Sequence, residues 1–330
     1  MVAFAVLGCG RIGRMHARNL ARHPKARLVT VYDIAGAAAE AAASELGVRA
    51  ASSVEDALRD PAVEAVLIAT STDTHVPLIT AAAQAGKAVL CEKPIDLDIA
   101  RAEACWKEIG GLNPTVMLGF NRRFDPSFKA VHDRIAAGEI GALEQVIITS
   151  RDPGPPPDAY IRVSGGLFRD MTIHDFDMAR YLAGDIVEVH AFGANLVEPS
   201  IKEAGDIDAA MVTLRAKSGA LVHINNSRRA TYGYDQRVEA FGAKGMLQAG
   251  NRRATTVESW NGTATAAQDP VLLFFIERYQ DAYAAEIDHF VTALAERRAP
   301  SPGFADGVEA LRLANAALES AQSGRTVRLG

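Results

Sequence analysis

Residues 8–13 read Gly-Cys-Gly-Arg-Ile-Gly, directly after the apolar run Val2–Leu7 and directly before a segment of helical pattern, Gly13–His23. A buried strand that ends in GxGxxG and runs on into a helix opens a dinucleotide-binding βαβ unit. Gly8 allows the tight turn, Gly10 lets the backbone approach a pyrophosphate, and Gly13 lets helix and strand pack closely. The helix start at Arg11 and Ile12 adds amides and positive partial charge. A second apolar run, Arg27–Tyr32, ends in Asp33 about 20 residues beyond the motif, where a carboxylate accepts bonds from the adenosine ribose hydroxyls. A carboxylate there also repels a ribose 2′-phosphate, and no arginine follows at once to hold one. NAD is therefore expected rather than NADP.

The alternation continues through helical Ala35–Leu46 and Ser53–Arg59, strand Ala65–Ala69, helix Val76–Ala85 and strand Ala88–Cys91. Such a pattern predicts an α/β fold, a doubly wound parallel sheet with right-handed crossovers and helices on both faces. After helix Ile99–Ile109 and strand Thr115–Gly119 the pattern changes to long β-branched segments: Leu143–Arg151, Val187–Leu196, Ala209–Arg215, Leu221–Arg228 and Arg237–Phe241. These predict a large, mostly antiparallel sheet, open on one face and covered on the other by helices Pro126–Ala137 and Thr172–Leu182. Phe274–Arg297 and Phe304–Ser323 are helical in pattern, and Thr326–Leu329 reads as a last strand. The expected organisation is a Rossmann domain over 1–120 and an α+β substrate domain over 121–330.

A formal charge of −5 offers no basic field for a nucleic acid, so a small-molecule partner is expected. The start MVAFAVLGCGRIG lacks the features of a secretory signal and no run reaches a membrane span, so a cytoplasmic protein without membrane contact is expected. Cys9, Cys91 and Cys105 are odd in number and lack CxxC spacing, which argues against a disulfide framework or a zinc site.

Two segments fall at carboxyl ends of strands, the edge where ligands bind in doubly wound sheets: Ala69-Thr70-Ser71-Thr72-Asp73-Thr74-His75 and Cys91-Glu92-Lys93-Pro94. Thr70, Ser71, His75, Glu92 and Lys93 are candidate cofactor contacts, and Lys93 is also a candidate for a substrate hydroxyl. Further on, Asp170 and His174 stand at i and i+4, on one face if the segment is helical. Hydride leaves a carbinol carbon readily only if the hydroxyl proton is removed in step, and a histidine steadied by a carboxylate suits that task. The competing reading makes His174 a buried histidine satisfied by Asp170, with Asp175 and Asp177 as caps and surface acids. A metal site on His174, Asp175 and Asp177 is disfavoured, because adjacent helical positions point apart.

Together GCGRIG, ATSTDTH, CEKP, GFNRRFD and GGLFRDMTIHDFDMARYL resemble the glucose–fructose oxidoreductase/inositol dehydrogenase/MocA (Gfo/Idh/MocA) family, and the likeness extends to Asn225–Arg229 and Tyr232–Asp235. The resemblance implies that His174 is the general base, Asp170 supports it and Lys93 binds and polarises the reacting hydroxyl. It places Asn121, Arg122 and Tyr234 in a polyol pocket. The implied reaction is oxidation of myo-inositol by NAD to scyllo-inosose, in inositol catabolism. Asn121 stands where some inositol-oxidising members carry an apolar residue. Another polyol or sugar, such as scyllo-inositol or a glucose-type pyranose, stays open, as do a non-catalytic NAD-binding regulator and an NAD-dependent lyase or glycosidase. The family also implies a homo-oligomer, dimer or tetramer, joined through the open sheet face.

Overall fold

Six strands, β1 (Val2–Leu7), β2 (Ala26–Tyr32), β3 (Arg49–Ala50), β4 (Ala65–Ile68), β5 (Ala88–Glu92) and β6 (Val116–Gly119), pair in parallel in the order β3-β2-β1-β4-β5-β6 in the computed structural model, which describes residues 1–330. The order reverses between β1 and β4, the switch point where open α/β sheets bind ligands. Register brings the strand ends into line: Leu7 lies opposite Tyr32 and Ile68, Ile68 opposite Cys91, and Glu92 opposite Gly119. Crossovers are made by α1 (Arg11–Arg22), α2 (Gly36–Leu46), α3 (Val54–Arg59), α4 (His75–Gln84) and α5 (Ile99–Ile109). On α1 the buried residues are Gly13, His16, Ala17 and Leu20, the i, i+3, i+4, i+7 stripe of a helix packed on a sheet.

The chain divides into two units, Met1–Asn121 with Tyr283–Arg312, and Arg122–Ala282 with Leu313–Gly330. The sequence places one boundary, at 120/121; instead Tyr283–Arg312 returns to the first unit. Packing gives the reason. Phe290, fully buried, lies 6.0 Å from the ring of Phe4, Phe304 lies 4.7 Å from Trp106, and Gly307 sits so close that a Cβ on it would come 2.9 Å from Leu118. These residues complete a core that β1, α5 and β6 cannot close by themselves.

In the second unit seven strands form one sheet. They are β7 (Leu143–Arg151), β8 (Ile186–Ala194), β9 (Ala209–Ala216), β10 (Leu221–Ser227), β11 (Asp235–Gly242), β12 (Gly245–Ala249) and, beyond the ribbon β13 (Glu258–Ser259) and β14 (Ala267–Gln268), β15 (Val327–Arg328). The order is β12-β11-β7-β10-β9-β8-β15, parallel only between β7 and β10. Alternation decides the faces: Val212 and Leu214 of β9 and Val222 and Ile224 of β10 are buried, whereas Met211, Thr213 and Leu221 are exposed. The buried face is covered by α6 (Pro126–Ala136) and α9 (Ile173–Ala183). Short helices α7 (Asp158–Ile161), α8 (Leu167–Asp170), α10 (Pro199–Glu203) and α11 (Phe275–Arg278) sit in connections, followed by α12 (Gln280–Ala295) and α13 (Phe304–Ser323). The single helix expected over 274–297 is thus broken at Tyr279, whose side chain is buried and donates to Gln236. No helix is long and apolar enough to cross a membrane.

Candidate active site

The glycine turn is fixed by sterics. Gly8 has φ +98°, and a Cβ there would lie 2.4 Å from the Ala69 carbonyl oxygen; on Gly13 it would lie 1.9 Å from the Gly8 carbonyl oxygen. A Cβ on Gly10, in contrast, would meet nothing within 4 Å, and α1 begins without a side-chain cap. The open space at Gly10 and the uncapped start of the helix fit the close approach of a pyrophosphate. Asp33 is aimed by two backbone amides, Cys9 N–H donating to Oδ2 at 2.6 Å and Ala35 N–H to Oδ1 at 2.8 Å. A carboxylate has about four acceptor positions, so it can still take ribose hydroxyls.

The neighbouring strand ends arrive at the same edge. Beyond β4, Thr70 and Thr74 share a hydroxyl–hydroxyl bond of 2.6 Å, and the Thr74 hydroxyl donates to the Ser71 carbonyl at 2.7 Å. Beyond β5 come half-buried Lys93 and a cis bond to Pro94. His75, expected to touch the cofactor, instead is buried, with Nδ1 2.7 Å from the Pro94 carbonyl oxygen and Nε2 3.2 Å from that of Thr70. Both ring nitrogens face the protein, so the side chain holds the loops together. Glu92 likewise faces inward, 2.7 Å from His16 Nε2.

In the second unit the expected helical pair is not on one helix. α8 ends at Asp170 and α9 begins at Ile173. At the break Met171 and Thr172 keep helical dihedral angles, but the Thr172 amide reaches back five residues to the Leu167 carbonyl, while its hydroxyl donates to Asn226 Oδ1 at 2.7 Å. Asp170 accepts from the Tyr160 hydroxyl at 2.8 Å and from Arg228 Nη2 at 3.1 Å, and half-buried His174 falls in the first turn of α9.

Asp175 and Asp177 are not surface acids. Arg122 Nη1 donates to Asp175 at 2.5 Å, Asn226 donates to its other oxygen at 2.8 Å, and Arg123 engages Asp177 with two nitrogens. Arg122 also donates to Ser150, and Ser150 and Tyr279 both donate to Gln236. Arg122, expected to line a pocket, is almost fully enclosed and serves as the strut of this network. Tyr234 packs edge-on to Tyr279 at 6.0 Å, and burial pushes its phenol well above the ordinary value, against the pull of Arg122. Asn121, in the first unit, is buried with its amide nitrogen unpaired.

Two family models span most of the chain: an oxidoreductase family with an NAD-binding Rossmann fold over residues 2–120, and a GFO/IDH/MocA C-terminal domain over 128–248. The chain belongs to the GFO/IDH/MocA oxidoreductase family. Within this family it is 48% identical to an inositol 2-dehydrogenase of Rhizobium meliloti over 99% of both chains. A crystal structure of a myo-inositol dehydrogenase from Corynebacterium glutamicum is 51% identical and superposes with a TM-score of 0.97, covering 100% of this chain and 99% of that one. A scyllo-inositol dehydrogenase from Lactobacillus casei, with bound NAD(H) and scyllo-inositol, is 29% identical with a TM-score of 0.92 over 99% of both chains.

Several residues of this family member's polar core escape notice in the sequence. Asn226 is legible in hindsight, since it continues the inward alternation of Val222 and Ile224. Arg228 and Asp152 follow strand ends and carry no local sign of burial. Burial pushes the Asp152 carboxyl up to about 6, against the pull of Arg228 and with Asp170 adding to the rise. A value raised above the ordinary 3.8 means that the folded state binds the proton more tightly, so stability falls as pH rises between those two values and then levels off. The cost at neutral pH is at most about 3 kcal/mol. Asp152→Asn is therefore expected to gain melting temperature relative to wild type between about pH 4 and 6, with a constant gain above. An equal difference at both ends of that range would contradict the assignment.

Proposed function

We propose that the chain is an NAD-dependent inositol 2-dehydrogenase that oxidises myo-inositol to scyllo-inosose, a step of inositol catabolism carried out in the cytoplasm, where NAD is supplied. The observation that carries this reading is the Glu92-Lys93-Pro94 turn at the same sheet edge as Gly8–Gly13 and Asp33, in a chain so similar along its length to inositol 2-dehydrogenases. Bound NAD supplies the hydride acceptor. Gly8, Gly10, Arg11, Ile12, Gly13, Asp33, Thr70, Ser71 and Glu92 form or support its cradle in the first unit. Lys93 binds and polarises the carbinol oxygen. His174 takes the hydroxyl proton as the carbon–hydrogen bond breaks, and Asp170, held by Tyr160 and Arg228, supports it. Asn121 of the first unit and Tyr234 of the second are the polyol-reading residues, and Arg122 supports Tyr234 within its own unit.

A second reading keeps the chemistry and changes the epimer, supported by the similar Lactobacillus casei enzyme with bound scyllo-inositol. The test is NADH absorbance with a panel of inositols and hexoses, where myo-inositol should give the highest kcat/KM. Absence of NADH with every polyol would overturn the function, and a preference for scyllo-inositol would select the second reading. Asp33→Ala is expected to raise the KM for NAD by about 10- to 100-fold, the worth of charged hydrogen bonds to the ribose, and to narrow the preference over NADP. Initial rates with both cofactors check this, and an unchanged KM would remove Asp33 from the cofactor site.

We also propose that the protein works as a homo-oligomer joined through its open sheet face. Six adjacent strands each expose one large apolar side chain there: Met246, Phe241, Ile147, Leu221, Met211 and Phe192, with Met246 opposite Phe241 and Met211 opposite Phe192 in register. Register places Met211 opposite Asn225, four residues along β10 from Leu221, so they form two apolar clusters on one face, the kind of exposed apolar surface that marks association. Light scattering should find a dimer or tetramer, and Met211→Lys should shift it toward monomer; a monomeric wild type would sink the idea.

A further inference from the structure

The residues on both sides of Lys93 are each held by a buried histidine that has no part in the chemistry above. On one side is His16, from the buried stripe of α1. Its Nε2 lies 2.7 Å from Glu92 Oε1, and its ring stands edge-on to Tyr283, 5.4 Å away at 89°. On the other side is His75, at the start of α4, with Nδ1 2.7 Å from the Pro94 carbonyl oxygen. Each histidine is only 1% exposed. A carbonyl can only accept, so Nδ1 of His75 carries the proton and donates. Burial pushes the His75 pKa down, so the ring is neutral and the shorter contact takes its single N–H.

A third group stands behind this pair. Glu286 of α12 is fully buried, neither of its carboxyl oxygens has a protein partner, and it offers an oxygen within 4.8 Å of the facing atoms of His16 and Glu92. Burial pushes its carboxyl well up, with Glu92 adding to the rise, which favours the neutral form.

We propose that His16 and His75 are positioning residues, a two-sided clamp on Glu92-Lys93-Pro94 that sets where the Lys93 ammonium meets the substrate hydroxyl. The proposal rests on the reading of Lys93 as the hydroxyl-binding group. A lysine swings on a long flexible stem, so the place of its nitrogen is defined only if the backbone carrying the stem is fixed. Here that backbone leaves a sheet and turns at once, and the two histidines hold the residues immediately before and after it. The sensitivity is high, since a displacement of about 1 Å at a reacting centre costs on the order of 100-fold in rate.

The two clamps use different ring nitrogens, and this gives a crossed test. Asparagine carries its amide nitrogen near the place of Nδ1, and glutamine near the place of Nε2. His75→Asn should therefore keep kcat within about threefold while His75→Gln loses about tenfold or more; His16→Gln should keep it while His16→Asn loses it. The affinity for NAD, measured by calorimetry, should stay within about twofold in the two well-fitting variants and fall by less than kcat in the other two, which disturb a partner of Glu92 or Thr70 in the cradle. A merely structural role would not produce this reversal in kcat with so small a change in cofactor affinity. Equal effects of the two amides at either position, or losses that track NAD affinity, would overturn the clamp. If the ill-fitting amide prevents folding, the well-fitting one must still restore kcat, and its failure also overturns it. Lys93→Ala separates the levels: if it keeps full turnover, the reading of Lys93 falls and the clamp with it, whereas an inactive Lys93→Ala beside a flat amide pattern sinks the clamp alone.

Discussion

His174→Ala is expected to lower kcat for polyol oxidation by about 10²- to 10⁴-fold, the usual worth of a positioned general base, with little change in the affinity for NAD. The effect should be chemical rather than structural. Position 174 lies in the first turn of α9, alanine is the best helix former, and the start of that helix is secured by Thr172 through Asn226 and by Asp175 through Arg122. Added imidazole should return part of the lost rate, because it can enter the space of the missing ring and accept the same proton. Single-turnover NADH formation with and without imidazole is the measurement. Full turnover in the variant would remove His174 from the chemistry, and a parallel loss of NAD affinity would move it to another role.

Asp125→Ala should produce the largest loss of stability, about 3–5 kcal/mol, seen as a fall of roughly 10 °C in the melting temperature. Asp125 does two things at once. One carboxylate oxygen caps α6, accepting from the amides of Ser127 and Phe128 at 3.1 Å each, and the other accepts from Arg278 Nη1. Both side chains of that ion pair are 1% exposed. Removal of the carboxylate leaves a guanidinium buried between the rings of Phe128 and Tyr279, at 5.3 and 4.8 Å, with no anion to face. The uncompensated charge is what makes the change so costly, since the pair itself is worth much less than the penalty for breaking it. Asp125→Ala combined with Arg278→Met should accordingly be less destabilised than Asp125→Ala alone. A fall of only a few degrees in the single variant, or a double variant worse than the single one, would contradict this account.

The first sheet and its glycine turn are legible in the sequence because their causes are local: strand, turn and helix lie within a few residues of one another at Val2–Arg22, and Asp33 follows at the end of the next strand. What the sequence hides is settled by partners far along the chain. In the competing reading of the sequence Asp175 and Asp177 are caps and surface acids, and only Arg122 and Arg123, some fifty positions earlier, turn them into buried counter-ions. The break between α8 and α9 coincides with a five-residue backbone bond from Thr172 to Leu167 and a side-chain bond from Thr172 to Asn226, neither of which helical periodicity registers. His75 looks like a ligand-facing residue at a strand-to-helix turn until the Pro94 carbonyl is found at its Nδ1. The return of Tyr283–Arg312 to the first unit is of the same kind, parts of two helices whose address depends on which apolar surface is left uncovered.

That return has a consequence for biosynthesis. The β1–β6 sheet is complete once Gly119 has been made, but Phe290 and Phe304, which pack against Phe4 and Trp106, leave the ribosome much later. At about 5–20 residues per second the N-terminal unit waits roughly 10 to 40 s for its missing side chains. During that interval it is a nascent chain with exposed strands and an open seam, a natural client for chaperones. A fragment ending near Asn121 should inherit the same defect permanently, so the cofactor-binding half of this enzyme is not a separable module.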